Sequence, residues 1–85
     1  MLTGEQIRGA RAMLGWSQSE LAKRANLGFA TVQRAERSSG RVSGMIETVV
    51  RLQQALEDGG VIFIDADDEA GPGVRMRATG ALTRR

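Results

Sequence analysis

"SQSELAKRANLGFATVQRAER", Ser17 to Arg37, decides the fold of this 85-residue chain. Ser17 to Glu20 spells Ser-x-x-Glu, a capping box in which hydroxyl and carboxylate satisfy orphan amides reciprocally at the start of a helix. Trp16, just before the cap, stands where a hydrophobic staple would. Leu21, Ala22 and Ala25 fall on one side of a short helix that Asn26, tolerant of left-handed backbone, can stop sharply. A second helical period runs from about Gly28 to Arg37, with Val32 and Ala35 inward. A connection this short forces the two axes to cross steeply and leaves the second helix proud of the body. Ala22 is small where the helices cross, Leu27 plugs the junction and Val32 packs back across it.

Upstream, Thr3 to Gln6 is another capping box, and Ile7, Ala10, Leu14 and Met13 make the apolar stripe of a helix that Gly15 ends. Downstream, "SSGRVSG" (Ser38 to Gly44) reads as a loop. A fourth helix starts at Ser43 or Gly44, has a wide apolar face of Met45, Ile46, Val49, Val50, Leu52 and Leu56, and stops at Asp58-Gly59-Gly60. "VIFID" (Val61 to Asp65) and "VRMR" (Val74 to Arg77) are strand-like, with a turn between them for which Pro72-Gly73 suits the central positions of type II. The expected fold is mainly α: four helices followed by a C-terminal β-hairpin. Residues 1–58 form the helical domain, 59–78 a hairpin extension and 79–85 a flexible tail.

Composition narrows the chemistry. A chain of this size is one domain and buries only about 60% of its unfolded surface, so a partner subunit is plausible. With no cysteine and no histidine, disulfides, thiol nucleophiles, imidazole bases and ordinary zinc sites are excluded. No nucleophile–base pair, phosphate loop or metal cluster stands out, so an enzyme, a cofactor and a metal are not expected. Asp65, Asp67, Asp68 and Glu69 lack EF-hand spacing. Neither a signal pattern nor an apolar run of membrane-spanning length is visible, which points to the cytoplasm and away from a membrane.

Net charge is only +2, but it is unevenly placed. Residues 1–57 hold eight Lys/Arg against five Asp/Glu, and residues 58–85 four against five. Between Lys23 and Arg41 lie five bases (Lys23, Arg24, Arg34, Arg37, Arg41) and one acid, Glu36. Such a run is either the footprint of a polyanion partner or a solvated basic face. The water-facing side of the Gly28–Arg37 helix carries Phe29, Ala30, Gln33, Arg34 and Arg37, a set that solvation alone does not ask for.

Gln18, Ala22, Asn26, Leu27 and Val32 together make one construction, a helix-turn-helix. Residues 5–57 resemble the Cro and lambda-repressor type of helix-turn-helix domain, the XRE family, most closely over "RAMLGWSQSELAKRANLGFATVQRAER". Asn26 replaces the usual turn glycine, Gly28 the usual Ser or Thr that opens the recognition helix, and Ser38 a glycine that follows it. The resemblance implies a sequence-specific transcriptional regulator of double-stranded DNA, a repressor acting as a dimer on a two-half-site operator and located with the nucleoid when bound. It implies that Phe29, Ala30, Gln33 and Arg34 face base edges, where Arg suits guanine, Gln adenine, and Phe or Ala the thymine methyl. Gln18 would anchor a phosphate, Arg37, Arg41 and Ser43 would flank the groove, and Lys23 and Arg24 would add diffuse attraction. Phe29 has a second reading, half-buried against the preceding helix. Arg11 and Glu36 resemble the family's buried ion pair between first and third helices.

The hairpin is not part of that resemblance. Val61, Ile62, Phe63, Ile64, Val74 and Met76 give it more apolar surface than one set of helices covers, and an isolated two-stranded sheet leaves open edges. Two arrangements satisfy it: pairing with a second copy, or folding back on its own helices while the fourth helix serves any dimer. A different class of function also uses this fold, an antitoxin-like protein that neutralises a protein partner and binds its own promoter, with the hairpin as partner surface.

Overall fold

The computed structural model describes residues 2–38, 42, 44 and 46–78. Four helices, α1 (Gly4–Leu14), α2 (Gln18–Ala25), α3 (Phe29–Arg37) and α4 (Ile46–Asp58), precede an antiparallel hairpin of β1 (Val61–Ile64) and β2 (Gly73–Met76). The expected Met45, Arg41 and Ser43, and the tail from residue 79, lie outside the described residues.

The helix boundaries follow from local chemistry. At α1 the capping box closes: Gln6 N–H donates to the Thr3 hydroxyl at 3.1 Å, and Thr3 N–H to Gln6 Oε1 at 2.9 Å. Gly15 ends α1 in the left-handed region, at φ 72°. The second box is only half made. Ser17 accepts from Glu20 N–H at 3.0 Å, but the Glu20 carboxylate turns to Arg24 one helical turn on, at 2.6 Å. A charge-assisted bond to guanidinium competes well with a backbone amide. Trp16 does more than attend its own helix. Its ring lies so close to Gly59, past the end of α4, that an added Cβ there would sit 2.9 Å away, and the Arg24 guanidinium stacks 4.3 Å from the ring centroid.

One core joins all the helices and the hairpin. Ile7, Leu21, Val32, Leu52, Leu56 and Val61 are its largest fully buried side chains, so every helix and β1 contribute at least one. Each such burial contributes about 1.5–3 kcal/mol. The apolar stripes are narrower than expected. Met13 on α1 and Ile46 and Val50 on α4 remain exposed, because α4 turns only the Leu52, Ala55 and Leu56 side fully inward.

The hairpin folds back on its own helices. Val61 is 1% exposed and belongs to the chain's own core, so it is not available to a second copy. Phe63 and Val74 pack partly buried beside it, and Val74 lies against Gly9 of α1. The Gln6 carboxamide donates to the carbonyls of both Ile64 (3.2 Å) and Gly73 (3.0 Å), clamping the loop end of the hairpin to the first turn of α1. The reversal also differs from expectation. Gly73 is already in β2, opposite Ile64, and the turn is made by Asp67. The Asp67 carboxylate accepts from the amides of Glu69 (2.9 Å) and Ala70 (2.8 Å), and Asp67 N–H donates to Ala70 O. Those two amide bonds hold the Asp67 carboxyl below its usual pKa.

Candidate nucleic-acid interface

The turn before α3 is built as its sequence suggests. Asn26 takes φ 57°, ψ 49°, and the Leu27 amide donates back to Ala22 O at 2.9 Å. A residue with no evident role in the sequence secures it from outside: Arg51 of α4 donates to Asn26 O at 3.1 Å while paired with Glu47 at 2.7 Å. Gly28 caps α3 without a side-chain bond, consistent with its missing hydroxyl.

α3 is set by its buried side and by Glu36. Val32, Ala35 and Glu36 are buried, and Glu36 is only 3% exposed. Its carboxylate accepts from Arg11 Nε at 2.7 Å and Nη2 at 3.0 Å, a bidentate pair, and from Gln18 Nε2 at 3.1 Å. Arg11 also donates to Trp16 O at 3.0 Å. The bond to Glu36 raises the Arg11 pKa, outweighing the opposite effect of burial. Arg8 adds a bond to the Glu36 backbone carbonyl. The last turn of α3 is thus addressed by two arginines of α1 and one glutamine of α2. Gly4 completes the joint: a Cβ there would stand 2.3 Å from Ser38 O and 3.0 Å from the carbonyls of Ala35 and Glu36. Neither Arg8 nor Gly4 had a recognisable signal, since their partners are backbone oxygens 28 or more positions away.

The opposite side of α3 is open. Phe29 is 46% exposed, so about half of its surface is open to solvent on this side. Ala30, Arg34 and Arg37 are exposed and Gln33 is half-buried. Arg34 makes only a long contact to Thr31, at 3.5 Å, and Arg37 has no ion-pair partner among the described residues. With Glu36 buried, this face presents two guanidiniums and no acid. A groove beside it is lined by Thr31, Arg34, Arg37 and Ser38 on one flank and by Val42, Gly44 and Thr48 on the other. Thr31 and Thr48 add hydroxyl donors that sequence reading did not single out.

The phosphate set is less uniform than expected. Lys23 is exposed and unpaired among the described residues, whereas Arg24 is held by Glu20 and Trp16. Gln18 is tied to Glu36 through its amide nitrogen, leaving the second N–H of that nitrogen for another acceptor. No group of metal-binding side chains occurs among the described residues, and none of their helices is long and apolar enough to cross a membrane.

A family model described as "Helix-turn-helix" matches residues 7–57, from the buried Ile7 of α1 almost to the end of α4. No curated protein matches the chain significantly.

Proposed function

The chain belongs to the XRE-type helix-turn-helix family of DNA-binding transcription regulators, and from that premise we propose that it is a sequence-specific repressor acting as a dimer on a two-half-site operator. The observation that carries the reading is the outer face of α3. An exposed aromatic ring, a methyl group, an amide and two guanidiniums without acids stand together on the open side of α3.

In this reading α3 lies in the major groove. Arg34 pairs with a guanine, Gln33 with an adenine, and Phe29 and Ala30 contact thymine methyls. The phosphate backbone runs along the groove between α3 and the start of α4, where Arg37 meets it. Gln18 donates its second amide N–H to a phosphate while Glu36 holds the first, so the buried ion pair orients a DNA contact as well as a helix. Lys23 supplies diffuse attraction, and Arg24 chiefly fixes Trp16. On this reading the protein works in the cytoplasm, with the nucleoid when bound.

Selection of bound duplexes from random genomic fragments, followed by footprinting, tests the proposal. Two protected half-sites on one face of the duplex, about 10 base pairs apart centre to centre, are expected. Equal affinity for selected and random duplexes would refute sequence-specific regulation.

A further inference from the structure

The hairpin has two unlike faces. Val61 opposite Met76, and Phe63 opposite Val74, face the helices; Ile62 opposite Arg75, and Ile64 opposite Gly73, face away. On that outer face Ile64 is 40% exposed, Ile62 is half-buried, and Gly73 leaves the neighbouring position without a side chain. Its two ends also differ in charge. Asp67, Asp68 and Glu69 occupy the loop, and Arg75 and Arg77 stand toward the opposite end. Asp68, Glu69, Arg75 and Arg77 have no ion-pair partner among the described residues.

We propose that a second copy of this chain docks on the outer face of the hairpin, about a two-fold axis that crosses the strands. Such an axis lays Ile62 and Ile64 of one copy on those of the other. It also reverses strand direction, so the acidic loop of each hairpin meets Arg75 and Arg77 of its partner. The charge order along the hairpin is what selects a copy of itself: loop-to-loop docking would oppose acid to acid. The interface is small. Strands of four residues are about 13 Å long at a rise of ~3.3 Å per residue, at the low end of specific interfaces. The dimer is therefore weak in free solution and is completed on DNA, where two adjacent half-sites raise the local concentration. This inference rests on the two-half-site reading above for its consequence, though not for the contact itself.

The test uses the full chain and three variants: Ile64→Glu; Arg75→Glu with Arg77→Glu; and Asp68→Lys with Glu69→Lys. Sedimentation across a concentration series reads self-association, and titration of single and paired half-site duplexes reads cooperativity. The unmodified chain should self-associate and prefer the paired duplex by about tenfold or more, as effective concentration predicts. Each variant should lose that preference while keeping single-site binding. The two charge-reversed variants, each self-repelling, should regain association when mixed. The two shift net charge in opposite directions, so a loss common to both is not a diffuse effect on DNA attraction. Unchanged association in all three variants would overturn the proposal. So would failure of the mixture, or loss of the dimer in Val50→Glu on α4 with Ile64→Glu unaffected. If the chain bound no duplex at all, the DNA reading would fail and sedimentation alone would still decide the docking.

Discussion

Arg11 and Glu36 differ in burial, and that difference predicts an asymmetric response to mutation. Glu36 is 3% exposed and Arg11 25%. Arg11→Ala leaves a buried carboxylate with only the Gln18 amide, and stranding one partner of a buried pair costs about 3–5 kcal/mol. Glu36→Gln leaves the guanidinium partly hydrated and still bonded to Trp16 O, so the cost is that of lost charge-assisted bonds, about 1.5–3 kcal/mol. Glu47→Ala is the control. Its pair with Arg51 is exposed on both sides, 65% and 39%, and such a pair is worth about 0.3–0.5 kcal/mol. A chain of 85 residues has a total stability of about 4–13 kcal/mol, so Arg11→Ala removes a large part of it. At roughly 4–8 °C per kcal/mol, its Tm should fall by about 12 °C or more, against about 4 °C or less for Glu47→Ala. Replacing both partners by methionine should recover much of the loss, because no charge is then stranded. Circular dichroism melts with denaturant titrations provide the measurement. Equal Tm values for Arg11→Ala and Glu47→Ala, or a double variant no better than Arg11→Ala, would refute the reasoning.

Arg34→Ala should cost about 1–3 kcal/mol on the best operator and relax preference at one base pair, whereas Arg37→Ala should weaken all duplexes alike and flatten the salt dependence; competition titrations at several salt concentrations separate the two. Gly4→Ala should destabilise by about 1–3 kcal/mol despite the better helix propensity of alanine, since the atoms its Cβ meets are backbone carbonyls; an unchanged melt would show that the α1–α3 joint yields freely. The Asp67 pKa is lowered on folding, so its contribution to the loop is complete above the normal aspartate range and is lost as pH falls through the lower folded value. Amide exchange at Glu69 and Ala70 should therefore speed up only in strong acid relative to neighbouring amides, and Asp67→Ala should abolish that dependence.

The helices were legible because their ends carry short-range signals. Thr3 to Gln6, Gly15, Asn26 and Asp58-Gly59-Gly60 each act within a few positions, and the structure uses them all. The Arg11–Glu36 pair was legible only through family resemblance, since its partners are 25 positions apart. Charge pattern failed where a second partner competed for a side chain. Glu20 left its cap for Arg24, and Arg24, still exposed, took Glu20 and the Trp16 ring as partners. In the hairpin, Pro72-Gly73 had the composition of a turn, but the carboxylate of Asp67 offered two amide bonds that a type II turn there could not match. Arg51 reaching Asn26 O, Arg8 reaching Glu36 O and the open space required at Gly4 all concern main-chain oxygens, which leave no trace in side-chain pattern.

Gln6 joins α1 to a segment nearly sixty positions away, and both halves of that clamp, residue 6 and the hairpin, fall outside the span 7–57 shared with the family. Removing the hairpin would expose the core position of Val61 and strip both acceptors from a carboxamide that is 3% exposed. The smallest unit that folds as this one does is therefore longer than the motif that binds DNA. A relative with a different C-terminal element needs only the capping-box acceptor here, which glutamate supplies as well, whereas one that keeps such a hairpin also needs the amide donors of glutamine. Across related chains, the identity of a single residue in the first helix should therefore report which kind of C-terminal extension follows the fourth.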